Sequence, residues 1–297
     1  VDGFAGFELT EVETPRGRVC ARVGGDGPPL LLLHGFPQTH LMWHPVAARL
    51  AERHTVVAAD LPGYGASLKP EPAADHAPHS KRALAQDLAG AMVALGHERF
   101  AVVGHDRGGR VGYRMALDHP ETVTRLAVLD IVPTGEIWRR ADDTFAIGYW
   151  HWAFLSQAAP LPERMILGDP EGVWIAIERM GIKAGDERYP AAVVDAYRAQ
   201  LADPATVEAI CEDYRAGATI DRALDDADRG TRTIACPVRA LWGGAGALPL
   251  FYEDPLELWR PYAPEVTGRA VEGASHFLVE DAPGEVADDL AAFLAAG

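Results

Sequence analysis

Cysteine is scarce in this chain. There are three in 297 residues, Cys20, Cys211 and Cys236, far apart and without a Cys-x-x-Cys pair. Such spacing gives no disulfide framework, and a reducing cytoplasm is the expected setting. Long apolar runs are missing too. The longest, around Leu30–Leu33, is far too short to cross a bilayer, and no basic stretch followed by an apolar one stands near the N-terminus, so neither a membrane span nor a secretory leader is expected. Positive charge is in deficit: 27 Lys and Arg face 43 Asp and Glu, a net charge of -16 and a pI of about 5.0. An acidic surface repels nucleic acid and anionic membranes. It offers no long-range attraction to a small anion either, so any anion site must be built from local cations.

What is present is a large apolar fraction, 48% of residues, ample for a sizeable core. Phe7–Thr14 and Arg18–Val23 read as a hairpin about Pro15-Arg16-Gly17. Pro29–Leu33 is a buried-strand run ending in the turn sequence His34-Gly35-Phe36-Pro37. Trp43–Arg53 has helical periodicity, Thr55–Ala59 is the next strand, and Ser80 reads as the N-cap of a helix to Leu95. Further strands are expected at 99–103, Arg125–Leu129, Val238–Trp242 and near Gly268–Glu272, with a closing helix from Pro283. Alternating strands and helices imply a mostly parallel sheet flanked by helices. Residues 136–228 break the pattern: they are helical and aromatic-rich, with no buried strand. The expected organisation is a core domain of residues 1–135 and 229–297, interrupted by a helical cap domain of residues 136–228 over the carboxyl ends of the strands, where open α/β sheets bind ligands.

Gly104-His105-Asp106-Arg107-Gly108-Gly109-Arg110 is the most informative stretch. A small-x-nucleophile-x-Gly turn between a buried strand and a helix forces the central side chain into the open. Here that side chain is a carboxylate, Asp106. A carboxylate attacks saturated carbon and leaves an alkyl ester, which moves the chemistry from acyl transfer toward displacement at carbon. Arg107 and Arg110 then point to a substrate that itself carries a carboxylate. Hydrolysis of the ester needs a base. There are eleven histidines, and any one could be a surface residue in a turn, but His276 in Gly273-Ala274-Ser275-His276-Phe277 follows the last strand, where such a base belongs. Its acidic partner has two possible positions. After Val238–Trp242 the sequence is Gly243-Gly244-Ala245-Gly246-Ala247, with no acid, and Asp254-Pro255 reads as a helix start. Asp130, at the end of the preceding core strand, fills the other position. The oxyanion donors are expected to be the backbone N–H groups of Phe36 and Arg107.

Seven blocks carry a resemblance that runs nearly end to end: HGFPQTHLMWHPVA, DLPGYGAS, GHDRGGRVGYRMALDHP, LAVLDIVPT, HWAFLSQ with APLPE, CEDYRAGA and GASHFLVE. The chain resembles the α/β-hydrolases with aspartate nucleophiles, and within them the fluoroacetate (haloacetate) dehalogenases. It departs from them in the Gly-rich Leu241–Leu250 region and at Gly109. The resemblance implies an α/β-hydrolase fold with an inserted helical cap, hydrolytic dehalogenation of haloacetates, no metal and no cofactor, and a homodimer. It also implies the roles: Asp106 as nucleophile, His276 as base, Asp130 as its partner, Arg107 and Arg110 on the substrate carboxylate, and His151, Trp152 and Tyr214 donating hydrogen bonds to the departing halide. An epoxide hydrolase is the rival reading. It uses the same triad with two cap tyrosines, for which Tyr214 and Tyr149 are candidates.

Overall fold

The computed structural model describes residues 2–182 and 185–296. Eight strands form one sheet: β1 (Glu8–Thr14), β2 (Gly17–Gly24), β3 (Pro29–Leu33), β4 (Thr55–Ala59), β5 (Phe100–His105), β6 (Val123–Leu129), β7 (Val238–Gly243) and β8 (Thr267–Val271), in the order β1-β2-β4-β3-β5-β6-β7-β8. The β1–β2 and β2–β4 pairs are antiparallel, and all the others are parallel. The central parallel strands β3, β4 and β5 are nearly continuous apolar runs, as strands covered on both faces are; every residue of β5 is buried.

Three helices belong to the first part of the sheet: α1 (Ala47–Ala51), α2 (Lys81–Ala94) and α3 (Asp106–Asp118). Ser80 caps α2, its hydroxyl accepting from the Ala83 N–H, which satisfies one of the orphan donors of the first turn. The helical periodicity of 43–53 is realised only in part. A tight 3-10 turn covers His40–Trp43 and α1 starts at Ala47, because Pro45 between them has no N–H to continue a helix. The β1–β2 hairpin turns on Pro15 and Arg16 alone, with Gly17 already paired to Thr14.

Between β6 and β7 the structure has only helices: α4 (Thr134–Arg140), α5 (Asp143–Gly148), α6 (Trp150–Leu155), α7 (Leu161–Gly168), α8 (Pro170–Met180), α9 (Ala191–Gln200), α10 (Pro204–Ala216) and α11 (Arg222–Asp228), with a π-helical turn at Gly217–Asp221. Four shorter or terminal helices follow β7: α12 (Leu248–Phe251), α13 (Pro255–Trp259), α14 (Leu278–Asp281) and α15 (Pro283–Ala295). Asp254 caps α13 with its carboxylate, which removes it from the site. Among the described residues no helix is long and apolar enough to cross a membrane, and all three cysteines are free thiols.

The β5–α3 junction is tightly packed. The first turn of α3 lies against the end of β3, and the Gly108 N–H donates to the His34 carbonyl at 2.8 Å. A Cβ on Gly108 would lie 2.4 Å from that carbonyl oxygen, and one on Gly104 would lie 2.5 Å from the Gly108 carbonyl oxygen. These contacts are backbone to backbone, so neither partner can swing away. Gly108→Ala is expected to cost about 3 kcal/mol or more of stability by overpacking, read as a lower urea midpoint at unchanged slope.

Candidate active site

Asp106 is the first residue of α3 and has a positive φ of 42°. A non-glycine residue in that region is strained and is held there only by surrounding structure, here the glycines packed on either side. The strain lifts the carboxylate off the strand end. Its Oδ2 accepts a hydrogen bond from the Phe36 N–H at 3.0 Å, and its Oδ1 lies 3.9 Å from Arg110 Nε. The Arg107 N–H, one residue on, belongs to the first helical turn, whose donors have no partner within the helix.

Asp130 also has a positive φ, 52°. Its Oδ2 pairs with His276 Nδ1 at 2.5 Å and its Oδ1 accepts from the Gly243 N–H at 2.9 Å. The position after β7 that holds no acid thus supplies a backbone donor to the acid of the neighbouring strand. A Cβ on Gly243 would fall 2.1 Å from the Ser275 carbonyl oxygen, so the Gly-rich departure noted in the sequence lets the His276 loop close on β7. His276 is placed further by His105, whose Nε2 contacts the His276 carbonyl at 2.8 Å. Burial holds His105 near 3, hence neutral and able to donate there.

The two arginines are anchored differently. Arg110 Nη1 donates to the Val132 carbonyl at 3.0 Å and to Thr134 Oγ1 at 3.1 Å, and its guanidinium stacks 4.7 Å from the Trp152 ring. Arg107 is gripped by one residue of α10: Nε donates to Asp213 Oδ2 at 2.6 Å and Nη2 to the Asp213 carbonyl at 2.8 Å. Its Cζ lies 4.1 Å from the centre of the Tyr214 ring.

A narrow chamber lies over Asp106, lined by Phe36, Asp106, Arg110, Asp130, Tyr149, His151, Trp152, Met180, Tyr214 and His276. Strand ends and the helices between β6 and β7 therefore meet around the carboxylate. Of the residues singled out from sequence, the structure brings all but Arg107 to the wall of this chamber. Tyr149 and Met180 also face a wider, open cleft that reaches His276 past Ile147, Leu250 and Phe251. Met180 carried no signal in the sequence. Asp213 did carry one, as an acid beside Tyr214 in the 211–218 block. Among the described residues no group of three or more His, Cys, Asp or Glu is arranged to hold a metal ion.

The charges follow from burial and neighbours. Burial pushes the Asp106 carboxyl up, but the positive charges of His276, Arg110 and Arg107 outweigh it and hold it near 2, so it is ionised. For His276 burial acts downward, while the hydrogen bond and charge of Asp130 and the charge of Asp106 raise it above its ordinary value. Burial drives His151 down to about 3 and drives the Tyr149 and Tyr214 phenols well above 10. The chamber thus sets one carboxylate against neutral N–H and O–H donors. Among the described residues, the side chains of His151, Trp152 and Tyr214 donate to no protein acceptor, which leaves them for a ligand.

An α/β-hydrolase family model matches residues 28–164. Over 98% of its length the chain is 45% identical to a fluoroacetate dehalogenase from Burkholderia sp, covering 95% of that protein. It belongs to the α/β-hydrolase family. This hydrolase is also 31% identical to a soluble epoxide hydrolase from Corynebacterium sp. (strain C12), over 91% of each chain. A solved α/β-hydrolase structure from Nostoc sp PCC 7120 superposes with a TM-score of 0.94 at 44% identity, over 99% of this chain and all of that one.

The Asp130–His276 pair makes a measurable statement. In NMR titration the His276 ring is expected to change charge above pH 6.5, and in Asp130→Asn at a lower pH, since both raising influences of Asp130 are lost. An unchanged midpoint would remove Asp130 as the cause.

Proposed function

We propose that this hydrolase cleaves the carbon–halogen bond of haloacetates, converting fluoroacetate to glycolate and fluoride through an ester on Asp106. The observation that carries the reading is an ionised carboxylate at the nucleophile position with Arg110 beside it and unpaired neutral donors around the same narrow chamber. Its similarity to a fluoroacetate dehalogenase supports the same substrate class.

Arg107 and Arg110 hold the substrate carboxylate, offsetting its repulsion from Asp106 and setting the α-carbon in line. Asp106 Oδ1 attacks that carbon, and the carbon–halogen bond breaks with its electron pair going to the halide. Fluoride is compact and demands strong solvation. In a chamber that excludes bulk water, the His151 N–H, Trp152 N–H and Tyr214 O–H take the place of that solvation. Oδ2 stays on the Phe36 N–H and becomes the ester carbonyl oxygen. Ester formation removes the Asp106 charge that helps raise His276, and the ring, then neutral and oriented by Asp130, takes a proton from water as the hydroxide adds to Cγ of Asp106. The oxyanion on Oδ2 is held by the Phe36 and Arg107 N–H groups, and its collapse releases glycolate and restores the carboxylate. No metal or cofactor enters. The helices of residues 136–228 act as the cap that excludes water. A cytoplasmic homodimer is the expected state: Trp150, Leu161, Met165 and Ile175 are exposed apolar side chains on those helices that a second copy would cover, and sedimentation velocity showing a monomer at micromolar concentration would refute it.

Epoxide hydrolysis is the second reading, because Tyr149 and Tyr214 both line the chamber as neutral phenols. Against it, a neutral epoxide has no use for the two guanidinium groups.

Fluoroacetate, chloroacetate and styrene oxide assayed side by side separate the readings. Halide with glycolate is the expected product pair, and diol without halide would make the protein an epoxide hydrolase. His276→Gln is expected to stop at the ester, seen by mass spectrometry as a carboxymethyl adduct on Asp106. The absence of any adduct after substrate addition would refute the two-step scheme.

A further inference from the structure

Arg107 has been treated so far as half of a carboxylate clamp, yet two of its three nitrogens are already taken. Asp213 accepts from Nε through its side chain and from Nη2 through its backbone carbonyl. Asp213 therefore occupies the forked edge that an arginine normally offers to a carboxylate. Of the three nitrogens of Arg107, Nη1 is buried and has no partner among the described residues.

Asp213 is itself held from behind. Lys81 reaches its Oδ1, and the Tyr64 hydroxyl donates to Oδ2 at 3.1 Å. Lys81 is anchored in turn by Asp221, whose Oδ1 accepts the Lys81 backbone N–H at 2.8 Å and whose Oδ2 lies 3.3 Å from the ammonium. Lys81, Arg107, Asp213 and Asp221 are each no more than 3% exposed, and together they carry no net charge. Such buried ion sets cost much desolvation and are often replaced by apolar side chains without loss of stability. A directional task accounts for this one.

The local backbone serves the same end. The π-helical turn begins at Gly217, right after the helix that carries Asp213, and single π turns inside helices gather at functional sites. A Cβ on Gly217 would lie 3.3 Å from Arg107 Nη2, so the glycine makes room for the guanidinium. On the other side Tyr214 and Trp152, both on the chamber wall, flank it at 4.1 and 5.7 Å.

We propose that Asp213, backed by Lys81, is the positioning residue that turns Arg107 so that its outer edge, Nη1 with the second N–H of Nη2, serves the substrate carboxylate, while Arg110 supplies the complementary donors. The inference rests on the carboxylate reading of the site. It extends that reading: Asp213 fixes which edge of Arg107 meets the anion, which gives a narrow geometric tolerance for acids larger than acetate.

The test is glycolate binding by isothermal calorimetry, with ethylene glycol as the uncharged control. The wild type is expected to bind glycolate and not ethylene glycol. In Asp213→Asn the glycolate Kd is expected to rise tenfold or more, while the His276 titration, which depends on Asp130 and Asp106, stays at the wild-type midpoint. Asp213→Asn leaves two buried cations short of a partner, so Lys81→Met/Asp213→Asn is measured with it. The double variant removes one charge of each sign and is expected to show the same loss. Gly217→Ala, which displaces Arg107 without touching the ion set, is expected to weaken glycolate by a smaller factor. Wild-type affinity in a folded Asp213 variant would overturn the positioning role and leave the carboxylate site standing. A wild type indifferent to glycolate would overturn the carboxylate reading, and this assignment with it.

Discussion

An ionised carboxylate held out of water is the constraint on which the rest of this structure depends. Asp106 is 7% exposed and sits at a turn whose backbone is strained. A lone buried anion would simply take up a proton. It stays charged because Arg110, Arg107 and His276 surround it. Each of those cations then needs its own support: Asp130 behind His276, the Val132 carbonyl and Thr134 under Arg110, and Asp213 with Lys81 and Asp221 behind Arg107. The buried polar residues beneath the chamber are consequences of that single negative charge.

The opposite wall obeys the same electrostatics with the opposite result. The helices between β6 and β7 contribute Tyr149, His151, Trp152 and Tyr214, and burial keeps their titratable groups neutral. Neutral donors suit a leaving anion, because they bind charge as it develops without drawing the nucleophile into a permanent ion pair. A fixed cation on that side would compete with the carbon centre for Asp106. Two guanidinium groups near Asp106, stacked on the rings of the neutral donors Tyr214 and Trp152, fit the proposed displacement better than they fit protonation of an epoxide by two phenols.

Much of the fold was legible along the chain. Strands β3 and β4 stand where apolar run length and turn residues put them, and Ser80 caps the helix it was expected to cap. The expected helix at 43–53 is shortened because Pro45 interrupts the ladder. Asp106, His276 and Asp130 were readable because each follows a recognisable strand. His151, Trp152 and Tyr214 came only through resemblance, since aromatic side chains on a helix carry no local mark that separates a core position from a chamber wall. Met180 was invisible for the same reason.

By itself the sequence determined the elbow, the strand ends and the residue type at the elbow, because those depend on local chemistry: glycines that permit backbone contact, a carboxylate in place of a hydroxyl, and acids either present or missing after a given strand. Only the tertiary structure decided how the guanidinium groups are used. Arg107 lies 106 positions from Asp213, and Gly243 lies 113 positions from Asp130. Hydrogen bonds over such separations are set by the packing of helices on a sheet, which no short stretch of sequence encodes, and that packing ties up the Nε–Nη2 edge of Arg107, which the sequence alone would have left open.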